Sequence, residues 1–400
     1  MVEREPVAIS GTYAVSAFGR GADALLAGVL AGVPAFRPVR RFDTAGRRVT
    51  VAATLPDVAT LPDELADAVD AACRAAGLDR AGRAESALFL ATHGGPATLP
   101  GRFTDDRPAP GVDDPWWAAG ERAGADGGPA WPELPALAGR LARRCGLDGP
   151  TRVYTTACVS ASSAVADAAA TILRGDRERV VVAAGYLVEP DQFALFDAGR
   201  ALAADGAVRP FSTGRQGLLL GDGVAAVVLE SAGALRRRGG TPVATLPGWG
   251  RAGDAYHPCQ PDPQGRGLAR AVGAALRRAG LPAGAVGYVN ANATGTGFSD
   301  ASEAAALRLA LGERAGQVPV SSTKALHGHA LEASGLLELV LTVAALRHGK
   351  LPVNAGWLGP DAACPLDVVT DAPRPVSGRY ALSLNAAFGG ANTALLVGAP

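Results

Sequence analysis

Two apolar runs, Gly223–Glu230 and Ala391 to Val397, each follow a glycine-rich turn, and each closes one half of a 400-residue chain. Cys158 and His329 likewise stand where a strand-like stretch gives way to a helical one, once in each half. This pairing is what a duplicated βαβαβ unit produces when its two sheets pack on shared helices. The join falls near Arg236-Arg237-Arg238-Gly239-Gly240, dividing the chain into residues 1–238 with Cys158 and residues 239–400 with Asn292, His329 and the glycine-rich turn at 389–390. The arginine run is expected to be a solvated helix end, where basic side chains suit the dipole. A hydrophobic content of 48% is ample for a large core.

Within the first half, Tyr154-Thr155-Thr156-Ala157-Cys158-Val159-Ser160-Ala161 links a strand (residues 152–156) to an Ala/Ser-rich helix (residues 160–173). A sulfur at a helix N-terminus lies among unpaired N–H groups and near the positive end of the dipole, which favours thiolate over thiol. Three later segments also lie at the carboxyl ends of predicted strands, where open α/β sheets place their sites. They are Val289-Asn290-Ala291-Asn292-Ala293-Thr294-Gly295-Thr296-Gly297 with Asp300 and Glu303 beyond it, Ser321-Ser322-Thr323-Lys324-Ala325-Leu326-His327-Gly328-His329, and Asn385-Ala386-Ala387-Phe388-Gly389-Gly390-Ala391-Asn392.

In this ordered set the chain resembles the β-ketoacyl-acyl carrier protein synthases, near the fatty-acid and type II polyketide ketosynthase branch. The resemblance runs nearly end to end, from Pro6-Val7-Ala8-Ile9-Ser10-Gly11 through Arg209-Pro210-Phe211-Ser212 to the last strand. It implies an α/β fold, a thiolase-like five-layer αβαβα arrangement, internally duplicated. It also implies a dimer, as a homodimer or a ketosynthase-type heterodimer, and substrates carried on the phosphopantetheine of an acyl carrier protein with no other cofactor.

Acyl transfer from a thioester needs an attacking thiolate, N–H donors for the tetrahedral oxyanion, and groups that handle the second substrate. Cys158 is the expected nucleophile, and the amides of Cys158 and Phe388 the expected oxyanion hole, with Gly389 and Gly390 allowing close approach. The resemblance gives His329 as the second of two histidines that hold the malonyl thioester carbonyl, while Asn292 occupies the place of the first. An asparagine amide can donate a hydrogen bond to an enolate but cannot take up a proton. Thr294 and Thr296 are expected to shape the turn and contact the pantetheine arm, and Lys324 to pair with Asp300 or Glu303. Ser212, Gly214 and Gln216 stand where the family commonly has acidic residues, and Ala387 replaces a glycine before the gating phenylalanine.

The leading expectation is therefore an acyltransferase of the ketosynthase type in secondary, polyketide or fatty acid-like metabolism. It would load an acyl group on Cys158 and condense it with a malonyl-carrier thioester. Alternatives are a transacylase or cyclase using the same acyl-cysteine without decarboxylation, and a chain-length-factor-like partner subunit, against which Cys158 itself argues.

Other classes are disfavoured. Zero formal net charge from 38 basic and 38 acidic residues gives no reason to expect nucleic acid or an anionic membrane as partner. The apolar stretch at residues 331–346 carries Glu332 and Glu338 and is shorter than the roughly 20 residues a bilayer span needs. It reads as a buried core helix. Five scattered cysteines without CxxC spacing suit a reduced cytoplasmic setting and no metal cage, and residues 1–5 lack a secretory signal pattern. Gly248-Trp249-Gly250-Arg251-Ala252-Gly253 matches a dinucleotide fingerprint but runs into a proline-containing loop rather than a helix. His257 and Cys259 lack metal-binding companions, and His93 is expected to make a structural hydrogen bond. Residues 97–135 read as an irregular surface excursion whose Trp116, Trp117 and Trp131 line an interface or acyl pocket, or staple the loop to the core.

Overall fold

The computed structural model describes residues 5–93 and 134–400, so Trp116, Trp117, Trp131 and nearly all of the 97–135 excursion lie outside the described residues. The first half contributes β1 (Val7–Ser16), α1 (Leu61–Ala75), β2 (Ala87–Ala91), α2 (Leu134–Arg144), β3 (Thr151–Tyr154), α3 (Ser160–Leu173), β4 (Arg179–Tyr186) and β5 (Gly223–Glu230). The second contributes β6 (Ala244–Gly253), α4 (Arg266–Ala279), β7 (Val286–Asn290), α5 (Gly297–Leu311), β8 (Pro319–Ser321), α6 (Ser334–His348), β9 (Asp367–Val368), β10 (Tyr380–Ala386) and β11 (Ala391–Gly398).

The strand order runs β9-β8-β7-β10-β11-β6-β1-β5-β4-β2-β3. In the first half β3, β2 and β4 are parallel, and β5 and β1 follow antiparallel; in the second β8, β7 and β10 are parallel, and β11 and β6 follow antiparallel. The same five-strand order thus occurs twice, joined where β1 pairs with β6 through Val7, Ala8 and Ile9. This mixed sheet with helices matches the duplicated five-layer expectation.

Three buried clusters give the layers. One places α1 and α2 outside the first half, with Leu65, Val69 and Leu141 against Leu88 and Val228. Another places α4 and α5 outside the second, with Leu268, Val272 and Leu307 against Val289 and Leu396. The largest holds α3 and α6 between the halves. Those two helices have no broad polar face because both sides meet protein. In α6 every residue from Ser334 to Leu346 is buried, as expected for a core helix.

Close backbone approach explains several glycines. A Cβ at Gly248 or Gly250 would come within 2.1 and 1.8 Å of the Ala275 and Ala271 carbonyl oxygens, so the fingerprint-like glycines let β6 lie against α4. At the join, Arg236 and Arg237 pair with exposed Glu5 and Glu178, but Arg238 turns inward and joins Arg179 on the buried carboxylate of Glu230. The run is therefore only partly a solvated helix end. A carboxylate buried on the last residue of β5 requires those cations.

Candidate functional site

Cys158 follows β3 in a 3-10 turn, Ala157–Val159, that leads directly into α3. Ala157 has φ +49°, a left-handed conformation uncommon for a residue with a Cβ. The second half repeats the device: Leu331 has φ +39° and opens the 3-10 turn Leu331–Ala333 ahead of α6. By this correspondence Glu332 stands where Cys158 stands, and the two turns pack on each other.

His329 lies just before that second turn. Its backbone bridges the 219–221 segment: the His329 amide donates to the Leu219 carbonyl at 2.8 Å, and the Gly221 amide donates to the His329 carbonyl at 3.1 Å. Added methyls at Gly221 or Gly328 would strike this ladder, at 2.0 Å from the His327 carbonyl oxygen and 2.6 Å from that of Leu220. The pinned backbone aims His329 Nε2 at Cys158 Sγ, 3.2 Å away, while Nδ1 lies 2.8 Å from Ser334 Oγ. His327 turns elsewhere, with Nε2 on Thr323 Oγ1 at 2.9 Å.

Burial dominates the electrostatics. It pushes the Cys158 thiol up to about 12, with Glu332 adding to the rise and Lys324 opposing it. Burial, Lys324 and His327 together hold the His329 imidazole well below its usual range. The resting pair is thus neutral thiol and neutral imidazole. This corrects the expectation of a helix-stabilised thiolate: the helix end is present, but desolvation outweighs it. The thiol proton must move as the sulfur attacks, and His329 Nε2 is placed to receive it.

Lys324 does not pair with Asp300 or Glu303. Its Nζ meets Glu338 Oε1 at 2.5 Å, both side chains being almost wholly buried, and Glu338 Oε2 accepts from Asn385 Nδ2 at 2.7 Å. The short helix Lys324–His327 turns the lysine toward the middle of α6. Asp300 and Glu303 instead brace the loop after β7. Asp300 accepts from the amides of Thr294, Gly295 and Phe211 at 3.1, 3.2 and 2.9 Å, and Glu303 accepts from the Asn292 amide at 2.8 Å. Burial raises these carboxyls to about 7 and about 8 respectively.

Asn292 is buried two residues beyond β7, and its Oδ1 has no hydrogen-bond partner among the described residues. Thr294 and Thr296 meet through their hydroxyls at 3.1 Å. Phe388 is exposed and stacks on Phe196 with centroids 6.2 Å apart. Gly389 and Gly390 have φ +84° and +76°, and the Gly389 amide is held by the Pro258 carbonyl at 2.6 Å. The turn at residues 157–159 packs on β10, which leads into the Phe388 turn. Ser212 replaces its expected acidic bonds by accepting from the amides of Leu358 and Gly359.

Sequence reasoning missed Glu338, Ser334 and a side-chain array beside the nucleophile. In that array His93 Nε2 meets Glu189 Oε1 at 2.6 Å and Nδ1 meets Glu332 Oε2 at 2.9 Å. The available signal was two glutamates inside an otherwise apolar helix stretch. Among the described residues no group of three or more His, Cys, Asp or Glu could hold a metal ion, and none of the described helices is long and apolar enough to cross a membrane. His257 Nδ1 accepts from the amides of Cys259 and Gln260.

Comparison with known proteins agrees with this arrangement. Residues 125–234 match the family "Beta-ketoacyl synthase, N-terminal domain" and residues 243–357 match "Beta-ketoacyl synthase, C-terminal domain". The tetracenomycin polyketide synthase ketoacyl synthase alpha subunit of Streptomyces glaucescens is 38% identical over 65% of this chain and 62% of its own length. The 3-oxoacyl-[acyl-carrier-protein] synthase 2 of Staphylococcus aureus is 33% identical over 66% of this chain and 67% of its own. The chain thus spans about two thirds of the length of these relatives, slightly less for the first. Among solved structures, the ishigamide ketosynthase/chain length factor superposes with a TM-score of 0.83 at 27% identity, covering 99% of this chain and 100% of that one. A beta-ketoacyl synthase from Burkholderia phymatum gives 0.83 at 26% identity, with the same coverage. With matched domains covering more than half the chain and the strand order repeated in both halves, the chain belongs to the beta-ketoacyl synthase family.

Proposed function

We propose that this protein is a ketosynthase-type acyltransferase that loads an acyl group from a carrier-protein thioester onto Cys158 and condenses it with a malonyl-carrier thioester. The observation that carries this reading is the 3.2 Å contact between His329 Nε2 and Cys158 Sγ in a buried site. As sulfur attacks the thioester carbonyl, its proton passes to Nε2. The oxyanion is held by the Cys158 and Phe388 amides, neither of which has a backbone partner among the described residues. The carrier thiol leaves with the proton from His329.

In the second step loss of CO2 from the malonyl group leaves an enolate. His329 Nε2–H and the Asn292 side-chain amide are the donors for its oxygen. The enolate carbon attacks the acyl carbonyl, the bond to sulfur breaks, and a proton from water restores the thiol. Asn292 serves here as a donor only, which is all that enolate stabilisation requires. The chain would work with an acyl carrier protein, as the name of the staphylococcal relative indicates for that enzyme, and as a homodimer or with a chain-length-factor-type partner. No cofactor beyond the carrier's phosphopantetheine enters the scheme. A reducing, cytoplasmic setting and a boundary between halves at residues 238 and 239 belong to the same reading.

A second reading is favoured by Asn292 itself. Losing a proton-transferring group typically costs about 10²–10⁴-fold, so the acyl-enzyme could instead pass to another acceptor without decarboxylation. A purely structural partner role is disfavoured by the intact Cys158–His329 contact.

The deciding experiment is intact-protein mass spectrometry after adding an acyl thioester and then a malonyl-carrier protein, with Cys158→Ala as control. An adduct on wild type alone that disappears on malonyl addition, with CO2 release and a product two carbons longer, is the expected result. A stable adduct without CO2 release supports the second reading, and absence of any adduct overturns both.

A further inference from the structure

The Glu189–His93–Glu332 array takes no part in the acyl transfer just described, yet it lies beside the nucleophile. His93 stands two residues beyond the end of β2, Glu189 three beyond the end of β4, and Glu332 at the centre of the 3-10 turn that packs on the turn of Cys158. The three side chains are only 11–12% exposed. One imidazole between two carboxylates, with both nitrogens engaged, is a protonated ring, so the array carries one positive and two negative charges. Tyr186 packs its ring against His93 at 5.7 Å, and its buried hydroxyl has no partner among the described residues.

We propose that this array is a charge-setting element for Cys158, in which the Glu332 carboxylate discourages loss of the thiol proton and His93, clamped by Glu189, limits how strongly it does so. In a desolvated site one unit charge several ångströms away changes an ionisation equilibrium by roughly tenfold. The other groups that face Cys158 are His329, Lys324 and Glu338, of which Lys324 opposes Glu332. Those that face the array are Tyr186 and, beyond it, Asp222 and Arg41. The proposed consequence is a thiol that stays protonated until a thioester and His329 are both in place. It also stays resistant to adventitious alkylation. Glu332, His93 and Glu189 are positioning residues in this scheme, since they act through Cys158 and touch no reacting atom.

The inference rests on Cys158 being the nucleophile of the proposed function, but its test needs no acyl chemistry and can fail separately. Iodoacetamide alkylation of Cys158 would be followed by intact mass across pH 6.5 to 9.5 in wild type, Glu332→Gln, Glu189→Gln and His93→Gln. Removing a carboxylate should speed alkylation at a given pH, by roughly tenfold for Glu332→Gln and less for Glu189→Gln. Removing the cation should slow it several-fold. Loosened packing would accelerate all three, so opposite signs are the signature. If His93→Gln fails to fold, the Glu332 variants decide the matter. Alkylation should be faster in Glu332→Gln than in wild type by a factor that holds when iodoacetamide is replaced by N-ethylmaleimide, also neutral. Glu332→Asp, which keeps the charge but shortens the side chain, should stay within about twofold of wild type; equal acceleration by Glu332→Asp and Glu332→Gln overturns the proposal. Changes below about twofold in both Glu332→Gln and Glu189→Gln, or acceleration by His93→Gln as well, also overturn it.

Discussion

Ser334 decides which nitrogen of His329 carries the proton. Its Oγ already accepts from the Ala330 amide at 3.0 Å and lies 2.8 Å from His329 Nδ1. A hydroxyl can accept from Nδ1–H, leaving Nε2 free to take the Cys158 proton, or donate to Nδ1, leaving Nε2–H to hold an enolate oxygen. The two half-reactions need opposite tautomers, and a serine rotor supports both. Replacing it with alanine leaves Nδ1 without this partner in a fully buried place, at a cost of about 1–3 kcal/mol. Ser334→Ala should therefore slow acylation of Cys158 by roughly five- to a hundredfold with little change in thioester KM. Stopped-flow release of the carrier thiol would measure this, and an unchanged rate constant would assign Ser334 to packing alone.

At the scale of the elements, what sets the distance between nucleophile and base is the crossing of α3 and α6. A Cβ at Gly335 would lie 2.9 Å from both the Ser162 amide nitrogen and Asn385 Oδ1. Alanine at that point would force apart α3 and α6, the helices that follow the turns of Cys158 and His329. Gly335→Ala is expected to cost about 1–3 kcal/mol, as overpacking does, and to slow Cys158 acylation. Gly284→Ala, with open space at its Cβ, is the control. Urea midpoints at constant m-value report the stability change; equal midpoints for the two variants would show that α3 and α6 adjust freely. The strand–turn–helix placement of Cys158 was legible because it is a local pattern about ten residues long. The Lys324–Glu338 pair was not, since the partner depends on how the short helix at 324–327 rotates the lysine. The His93–Glu332 contact joins residues 239 apart in sequence, and nothing in the local pattern of either announces the other.

Across the whole molecule, the duplicated fold puts many ionisable groups in the region between the two halves and around its loops, and their shifts give stability a direction in pH. The repeated strand order was legible as two similar halves, whereas the charges buried between them follow from packing of distant segments. Burial alone would lower His93, but the hydrogen bonds of Glu189 and Glu332 raise it to about 10 from 6.5. Its contribution is full below pH 6.5 and is lost as pH rises toward 10. Burial raises Asp300 to about 7 from 3.8 and Glu303 to about 8 from 4.5, so each favours the folded state at low pH and loses that advantage up to its folded value. His327 runs the other way: burial lowers it to about 3, so its cost appears only as pH falls below 6.5. Between pH 6.5 and 8 His93 and Glu303 therefore act together, with Asp300 contributing up to about 7, and toward 9 His93 is joined by the buried thiols of Cys73, Cys145, Cys158 and Cys364, which burial raises above the ordinary thiol value. The unfolding free energy should fall by about 2–5 kcal/mol from pH 6.5 to 9, with His93 and Glu303 supplying most of it between them. Urea titrations at both values would show the loss, and His93→Gln should reduce it by roughly half. A loss as large in His93→Gln as in the wild type would mean that the imidazole between Glu189 and Glu332 does not carry the charge assigned to it, and the charge-setting role proposed for the array would fall with it.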